Sequence, residues 1–417
     1  MVEMNLGDLK DKRVILFCGD FIGIGGVERI MLEEAKYLEK HGAKVCILIF
    51  RFSREVLFDE AYKVSIQPVA EKSLAKSLPI RFITSILDLR RKIKEIKPHI
   101  IISANPDCCI YLYFATLLSH FPYVTHFPST IFWLNSDLVY AFIHRKIFRE
   151  IRESVAGHKQ FIPLKRPKMS LAKRMKTELT AILLYIGVRK ARRIFVHTNR
   201  MKWEVSKLYG KEAIPLKGAF PHEILDYKPK QNIKEKLGLE NKRLILNVNR
   251  LDYKKRVDLL IKAFKRIGEK FGDVVLVIGG VGPEEEKLKD LAVELAIQER
   301  VRFVGHIKEE ELWDFYANCD VFVHPFWREF SIAPYEALAL QRKVVWSSEM
   351  EIDESLKGNK HIFVADPTVN DFTLAIERAL SAEVTEKNDM SNYTWDVYFQ
   401  RRAEELLSVM REMGGKI

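Results

Sequence analysis

Residues 14–50, VILFCGDFIGIGGVERIMLEEAKYLEKHGAKVCILIF, change their hydrophobic period twice. Residues 14–18 form a continuous apolar run closed by Gly19, the pattern of a strand buried on both faces. Gly23, Gly25 and Gly26 make a glycine-rich turn, after which Val27, Ile30, Met31, Ala35 and Leu38 fall on one face of a helix. Residues 45–50 are a second apolar run. Strand, glycine turn, helix, strand is the repeating unit of a doubly wound parallel sheet. Gly25 and Gly26 lie between the first strand and the first helix, where a missing Cβ lets backbone approach a ligand closely. A plain tight turn is the competing reading.

The same grammar returns in the second half. Residues 244–248, 274–278, 301–304 and 321–324 read as strands, and 257–267, 284–295 and 334–340 as helices. The first half adds strands at 99–103 and 123–127, and 395–410 is apolar-periodic as a terminal helix. The stretch 226–240, with Pro229, Gln231 and Asn232, reads as a linker. A chain of 417 residues is too long for one ordinary core. The expected fold class is therefore α/β, with two Rossmann-like domains at 1–228 and 229–390 facing a central cleft. A helix at 391–417 can return to the N-terminal domain.

Apolar residues make up 47% and charged residues 30%, a folded and not a disordered mixture. The five cysteines, Cys18, Cys46, Cys108, Cys109 and Cys319, have no metal-ligand spacing, and their odd number argues against a disulfide framework. A reduced, cytoplasmic compartment is expected. The opening residues lack a cleavable signal pattern, and no apolar run approaches the roughly 20 residues of a spanning helix. Charge is uneven. Residues 140–193 hold 15 Lys/Arg against 3 Glu, a surplus equal to the net +12 of the whole chain. Leu, Ile, Phe and Met interleave with those cations, which suits a peripheral surface lying on anionic lipid. A helix with its apolar face in the core and its charges solvated is the competing reading. The segment matches no nucleic-acid reader motif, so nucleic acid is not an expected partner.

Six motifs occur in order: GIGGVER (23–29), VTHFPS (124–129), NVNRLDYKKRVDLLIKAF (247–264), IGGVGPEEEKL (278–288), VRFVGHIKEEELWDFYANCDVFVHP (301–325) and REFSIAPYEALA (328–339). Together they resemble the retaining GT-B glycosyltransferases of family 4, strongly across 244–339 and more loosely across 12–220. NRLDYKKR resembles the mannosyltransferases that build lipid-linked oligosaccharides. The resemblance implies transfer of a hexose from a nucleotide diphosphate sugar to a lipid-linked or glycan acceptor. It favours GDP-mannose as donor, with a UDP-sugar as the alternative, and implies no separate cofactor.

Arg250 and Lys255 follow a strand, where α/β domains place ligand-contacting loops. Two cations there can neutralise a diphosphate, whose charge grows as the sugar bond breaks. On spacing alone a solvated basic turn is the better reading, since Lys254 and Arg256 are charged too; the resemblance reverses this and gives them the phosphate role. The resemblance also places Glu336 on the ribose hydroxyls, and a carboxylate can accept from two hydroxyls at once. Ser331, Ile332 and Ala333 would offer backbone N–H groups at a helix start. The resemblance places Gly305 and His306 near the nucleotide base and His126 facing the sugar, a buried and satisfied histidine being the competing reading of His126; His324 is read as structural.

Glu329 departs from the pattern. The family places seven residues between its two glutamates, whereas six separate Glu329 from Glu336. A shortened loop can still bring Glu329 to the sugar hydroxyls. No Asp-x-Asp triplet occurs, which fits a metal-independent enzyme that holds the diphosphate with fixed cations. Rival readings are a sugar-nucleotide epimerase, a phosphorylase, and an inactive nucleotide-sugar-binding protein.

Overall fold

The computed structural model describes residues 6–21, 26–52, 65–69, 78–128, 138, 141–144, 147, 150, 168–326 and 330–414. The chain divides into two units, Met1–Lys217 with Tyr398–Ile417, and Gly218–Val397.

The first unit runs β1 (Arg13–Phe21), α1 (Gly26–Lys40), β2 (Lys44–Phe52), β3 (Ile66–Pro68), α2 (Leu78–Ile96), β4 (Ile100–Ser103), α3 (Cys108–Thr116), β5 (Tyr123–Phe127), α4 (Leu171–Lys190), β6 (Ile194–Val196), α5 (Asn199–Tyr209) and β7 (Ile214–Pro215). Among the described residues its seven strands pair in parallel in the order β3-β2-β1-β4-β5-β6-β7. Every residue of β4 and β5 is buried, which explains why these strands read as unbroken apolar runs. Thr198 starts α5 by accepting from Met201 N–H at 3.1 Å, and Gly210 ends it in the left-handed conformation.

The second unit runs α6 (Ile233–Lys236), β8 (Arg243–Val248), α7 (Val257–Lys270), β9 (Val274–Gly279), α8 (Glu285–Glu294), β10 (Val301–Gly305), α9 (Glu309–Asn318), β11 (Val321–His324), α10 (Ile332–Ala339), β12 (Lys343–Ser347), β13 (Ile362–Ala365) and α11 (Val369–Ser381). Six parallel strands lie in the order β10-β9-β8-β11-β12-β13. Period-two alternation splits the core between the two faces. Leu244, Leu246, Phe322, Val344 and Trp346 go to one face, while Ile245, Val321, Val323 and Val345 go to the other. The expected pair of doubly wound domains is present.

Two boundaries need correction. Residues 226–240 are not a linker but part of the second unit. Ile233 is fully buried there, the Tyr227 hydroxyl donates to Asp314 at 2.8 Å, and Lys234 pairs with Asp320 at 2.8 Å. The division consequently falls after residue 217 and not after 228. The final helix, α12 (Trp395–Gly414), joins the first unit from Tyr398 onward, so the second unit reaches 397 and not 390. Tyr398, Phe399, Ala403, Leu406 and Leu407 are buried there. Arg402 Nε lies 2.8 Å from Glu34 of α1, with both side chains almost wholly buried.

Candidate active site

In both sheets the strand order reverses at one place: between β1 and β4 in the first unit, and between β8 and β11 in the second. Loops at the carboxyl ends of strands flanking such a reversal diverge and leave a crevice, the usual ligand position of an open α/β sheet. In the second unit the loop after β8 is 249–256, and the loop after β11 begins at Pro325.

The loop 249–256 is wedged against the turn that follows β9. Asn249 N–H donates to Gly279 O and Leu251 N–H to Val281 O, each at 3.0 Å, and Glu284 N–H returns a bond to Leu251 O at 3.0 Å. These approaches require glycine. A Cβ on Gly280, which has φ 119°, would sit 1.8 Å from Asn249 O, and one on Gly282 would sit 2.3 Å from Leu251 O. Gly280 N–H donates to Gly305 O at 2.6 Å, tying in the end of β10, where Gly305 has φ 70°. Local backbone bonds from Asp252 finish the loop: its side chain accepts from Lys254 N–H and its carbonyl from Lys255 N–H, both at 2.9 Å.

Within this frame Arg250 is exposed, while Lys255 is half-buried with Nζ 3.6 Å from the centroid of the Phe326 ring. The loops after β8 and β11 thus meet at the reversal point. His324 is fully buried beneath them, edge-on to Phe326 at 5.6 Å and stacked on Phe322 at 6.0 Å. Burial first, and then the charge of Lys255, push its pKa well below the usual histidine value, so it stays neutral. Neither its Nδ1 nor its Nε2 has a hydrogen-bond partner among the described residues.

Further along, α10 has Ser331 as its N-cap residue, with Ser331, Ile332 and Ala333 half-buried at the helix start. Glu336 lies on this helix and is 1% exposed. Tyr335 beside it packs against Phe330, Trp346 and Tyr393. His306, just past Gly305, is exposed. Arg250, Lys255, Gly305, His306, Ser331, Ile332, Ala333 and Glu336 therefore all belong to segments at the carboxyl edge of one sheet. Glu329 lies outside the described residues, as does Gly25.

Gly26 and His126 belong to the first unit. Gly26 begins α1, and an added Cβ would meet nothing within 4 Å. His126, near the end of β5, is 2% exposed and stands edge-on to His197 at 4.6 Å. Burial, then His197 and Arg402, hold it well below the usual histidine pKa, so its ring is neutral. Its Nε2 has no hydrogen-bond partner among the described residues. Leu16, Val27, Ile30, Met31, Glu34, Ile102, Ala104 and Arg402 line a small cavity with it. Among the described residues no group of three or more His, Cys, Asp or Glu is arranged to hold a metal ion, and all five cysteines are free and buried.

Sequence reasoning passed over two features. One is the glycine pair 280/282, legible only as part of a motif until the backbone approach is seen. The other is Arg256, which adopts φ 51° and forms a bidentate ion pair with Glu349, 93 residues away. No local pattern signals such a partner.

Two family models match: glycosyltransferase family 4 over residues 24–216, and glycosyl transferases group 1 over 229–395. An uncharacterised glycosyltransferase of Methanocaldococcus jannaschii is 26% identical over 248 residues, covering 55% of this chain and 63% of the relative. An α-1,3/1,6-mannosyltransferase of Dictyostelium discoideum is 25% identical over 184 residues, covering 40% of this chain and 44% of the relative. The matched stretches thus span less than two thirds of these relatives' own length. Among solved structures, a glycosyltransferase from Rickettsia africae superposes with a TM-score of 0.71 at 15% identity, covering 97% of this chain and 98% of that one. Anabaena HepE in complex with UDP gives 0.65 at 14% identity, covering 97% and 99%. With both halves of the chain matched by family models, and the two sheets ordered as they are, the chain belongs to the family 4 glycosyltransferases of the GT-B fold.

Proposed function

We propose that this chain moves a hexose from a nucleotide diphosphate sugar to a lipid-linked or glycan acceptor, with retention of anomeric configuration and without a metal ion. The observation that carries this reading is the pair of cations, Arg250 and Lys255, on a loop locked against the Gly280–Gly282 turn at the reversal point of the second sheet. Cations fixed before the reaction stabilise charge as it develops and need no reorganisation when it does. The bond from the anomeric carbon to the diphosphate breaks, and the electron pair leaves on the phosphate oxygen facing Arg250 and Lys255. The acceptor oxygen bonds to the same face of that carbon, and its proton passes to the departing phosphate. Glu336 takes the ribose hydroxyls, His306 the base, and Glu329 the sugar hydroxyls. His126, neutral and with no partner for its Nε2 among the described residues, offers a hydrogen bond to a substrate hydroxyl.

GDP-mannose is the preferred donor. A GDP-mannose-dependent mannosyltransferase of Mycolicibacterium smegmatis is 34% identical over 93 residues, or 22% of this chain and 24% of the relative. Lipid is the preferred setting for the acceptor. No helix of the described residues is long and apolar enough to cross a membrane, but α4 presents Leu171, Met175, Leu179 and Ile182 to solvent at 73, 64, 58 and 43% exposure. Lys173, Arg174 and Lys176 are exposed beside them. An apolar stripe bordered by cations fits an anionic bilayer face better than a soluble partner.

Turnover of GDP-mannose tests the reading, with UDP-sugars in parallel. Arg250→Ala and Lys255→Ala should each lower kcat by about 100-fold, as losing one charge-stabilising donor does, with the melting temperature little changed. Near-parental turnover in both variants would remove the phosphate assignment. Turnover should persist in excess EDTA, and loss on chelation that manganese restores would overturn the metal-free mechanism.

A further inference from the structure

We propose that the buried Arg256–Glu349 ion pair is a clamp that positions Lys255, so that two residues which do not touch the donor set its affinity. The inference rests on the diphosphate role of Lys255.

The loop 249–256 has two ends, and they are held differently. Its start is bonded through backbone to the turn after β9, and Leu251 is fully buried there. At its far end the N–H groups bond inward, Lys255 N–H to Asp252 O at 2.9 Å and Arg256 N–H to Tyr253 O at 3.3 Å, while Arg256 O accepts from Leu259 and Leu260 N–H of α7 at 3.0 and 3.4 Å. Arg256 side-chain chemistry ties that end to the body of the unit. Its Nη1 donates to Glu349 Oε2 and its Nη2 to Oε1 at 3.1 Å, with the two side chains only 7% and 1% exposed. A bidentate guanidinium–carboxylate pair fixes direction as well as distance.

The backbone at Arg256 gives the pair its meaning. With φ 51° and ψ 36° the residue is left-handed, a conformation that strains an arginine and would not strain a glycine. It is both the last residue of the loop and the first boundary of α7. Strain of this kind persists only where the surroundings over-determine it, and it gathers at sites that need pre-organisation. A buried ion pair is also a poor source of stability compared with apolar packing. Strain and a buried ion pair at one residue, immediately after Lys255, are costly as stability devices. They suit holding the Lys255 backbone at a single angle, with its Nζ over Phe326 at the reversal point.

Removing one partner would strand a buried charge, so the informative variant removes both. Arg256→Gly/Glu349→Gln leaves no orphaned charge and places the residue best suited to φ 51° at position 256. Calorimetric titration of the full chain with GDP and with UDP, in the parent, in this paired variant, in Lys255→Ala and in their combination, gives a double-mutant cycle. The expected result is a Kd about tenfold weaker for the paired variant, with no further loss once Lys255 is already alanine. A merely structural role would weaken binding equally in both backgrounds, and that outcome overturns the clamp. Parental affinity in a folded paired variant also overturns it. Should the paired variant lose its melting transition, Glu349→Asp, which keeps the charge and shortens its reach, carries the same cycle with the same outcomes. If Lys255→Ala binds GDP and UDP as the parent does, the diphosphate reading falls and the clamp with it. If Lys255→Ala weakens binding but the paired variant does not, the clamp alone falls.

Discussion

His126 and His197 face each other edge to face inside the first unit, and neither can hold a proton there at neutral pH. His197 is fully buried, its Nδ1 3.3 Å from Leu216 O, and burial lowers its pKa from 6.5 to about 4, with the Arg402 charge adding to the effect. The unfolded chain takes up the proton near pH 6.5 while the native ring refuses it until about pH 4. Stability is therefore complete above 6.5 and is lost as the pH falls towards 4, by on the order of 3 kcal/mol for this ring. Replacing the ring by an amide that keeps the bond to Leu216, His197→Asn, should flatten the fall in melting temperature between pH 7 and 4.5. An unchanged profile would move the acid sensitivity elsewhere. Single residues were also where sequence reading was weakest. The roles given to Arg250, Lys255 and Glu336 came with the motifs, because charge at a given spacing suits a solvated turn as well as a phosphate. The left-handed backbone of Arg256, the distant Glu349 and the burial of His126 against His197 depend on three-dimensional neighbours that no window of sequence contains.

Elements were more legible, since burial on both sheet faces writes itself as apolar runs and burial on one helix face as a 3.6-residue period. All the strands expected at 14–18, 45–50, 99–103, 123–127, 244–248, 274–278, 301–304 and 321–324 are present, shifted by a few residues at their ends. The misreading at 226–240 has a simple cause. Its Pro, Gln and Asn residues signal turns correctly, but the buried anchors Ile233 and Leu239 are too sparse to announce a packed segment. In α4 Ala181, Leu184, Gly187 and Val188 are core, whereas Leu171, Met175 and Leu179 face solvent. Attraction to a lipid surface should then depend on both charge and apolar contact. The chain should co-sediment with anionic vesicles, bind neutral ones weakly and be released by salt, which screens over about 8 Å at physiological strength. Lys173→Gln/Arg174→Gln/Lys176→Gln should weaken that binding and leave donor hydrolysis intact. Equal binding to neutral and anionic vesicles would sink the electrostatic account.

For the whole molecule, two repeats of the βαβ grammar sufficed to read out two sheets, while the allegiance of the last helix did not follow from its own amphipathic pattern. Its partner surface is built by residues of the first unit far away in sequence: Glu34 for Arg402, Arg193 for Glu405 and Glu412, and Asp8 for Arg411. Burial pushes the Glu34 carboxyl up, against the pull of Arg402. Arg402→Leu would leave that carboxyl buried without a partner, and unfolding of the first unit should become easier by about 3–5 kcal/mol. Adding Glu34→Leu should recover much of the loss, as measured by urea denaturation, because an apolar pair of similar volume substitutes well for buried ions. Failure of the second change to rescue the first would mean that the pair does more than fill the interior. The same helix bears on how the protein is made. On the ribosome, 180 residues forming the second unit, Gly218–Val397, emerge before the segment that completes the first. The earlier-synthesised unit must wait with the surface around Glu34 and Tyr37 uncovered, while the later one can fold as soon as it clears the exit. The interval open to chaperone capture therefore lasts while the second unit is being made and falls on the unit that was made first.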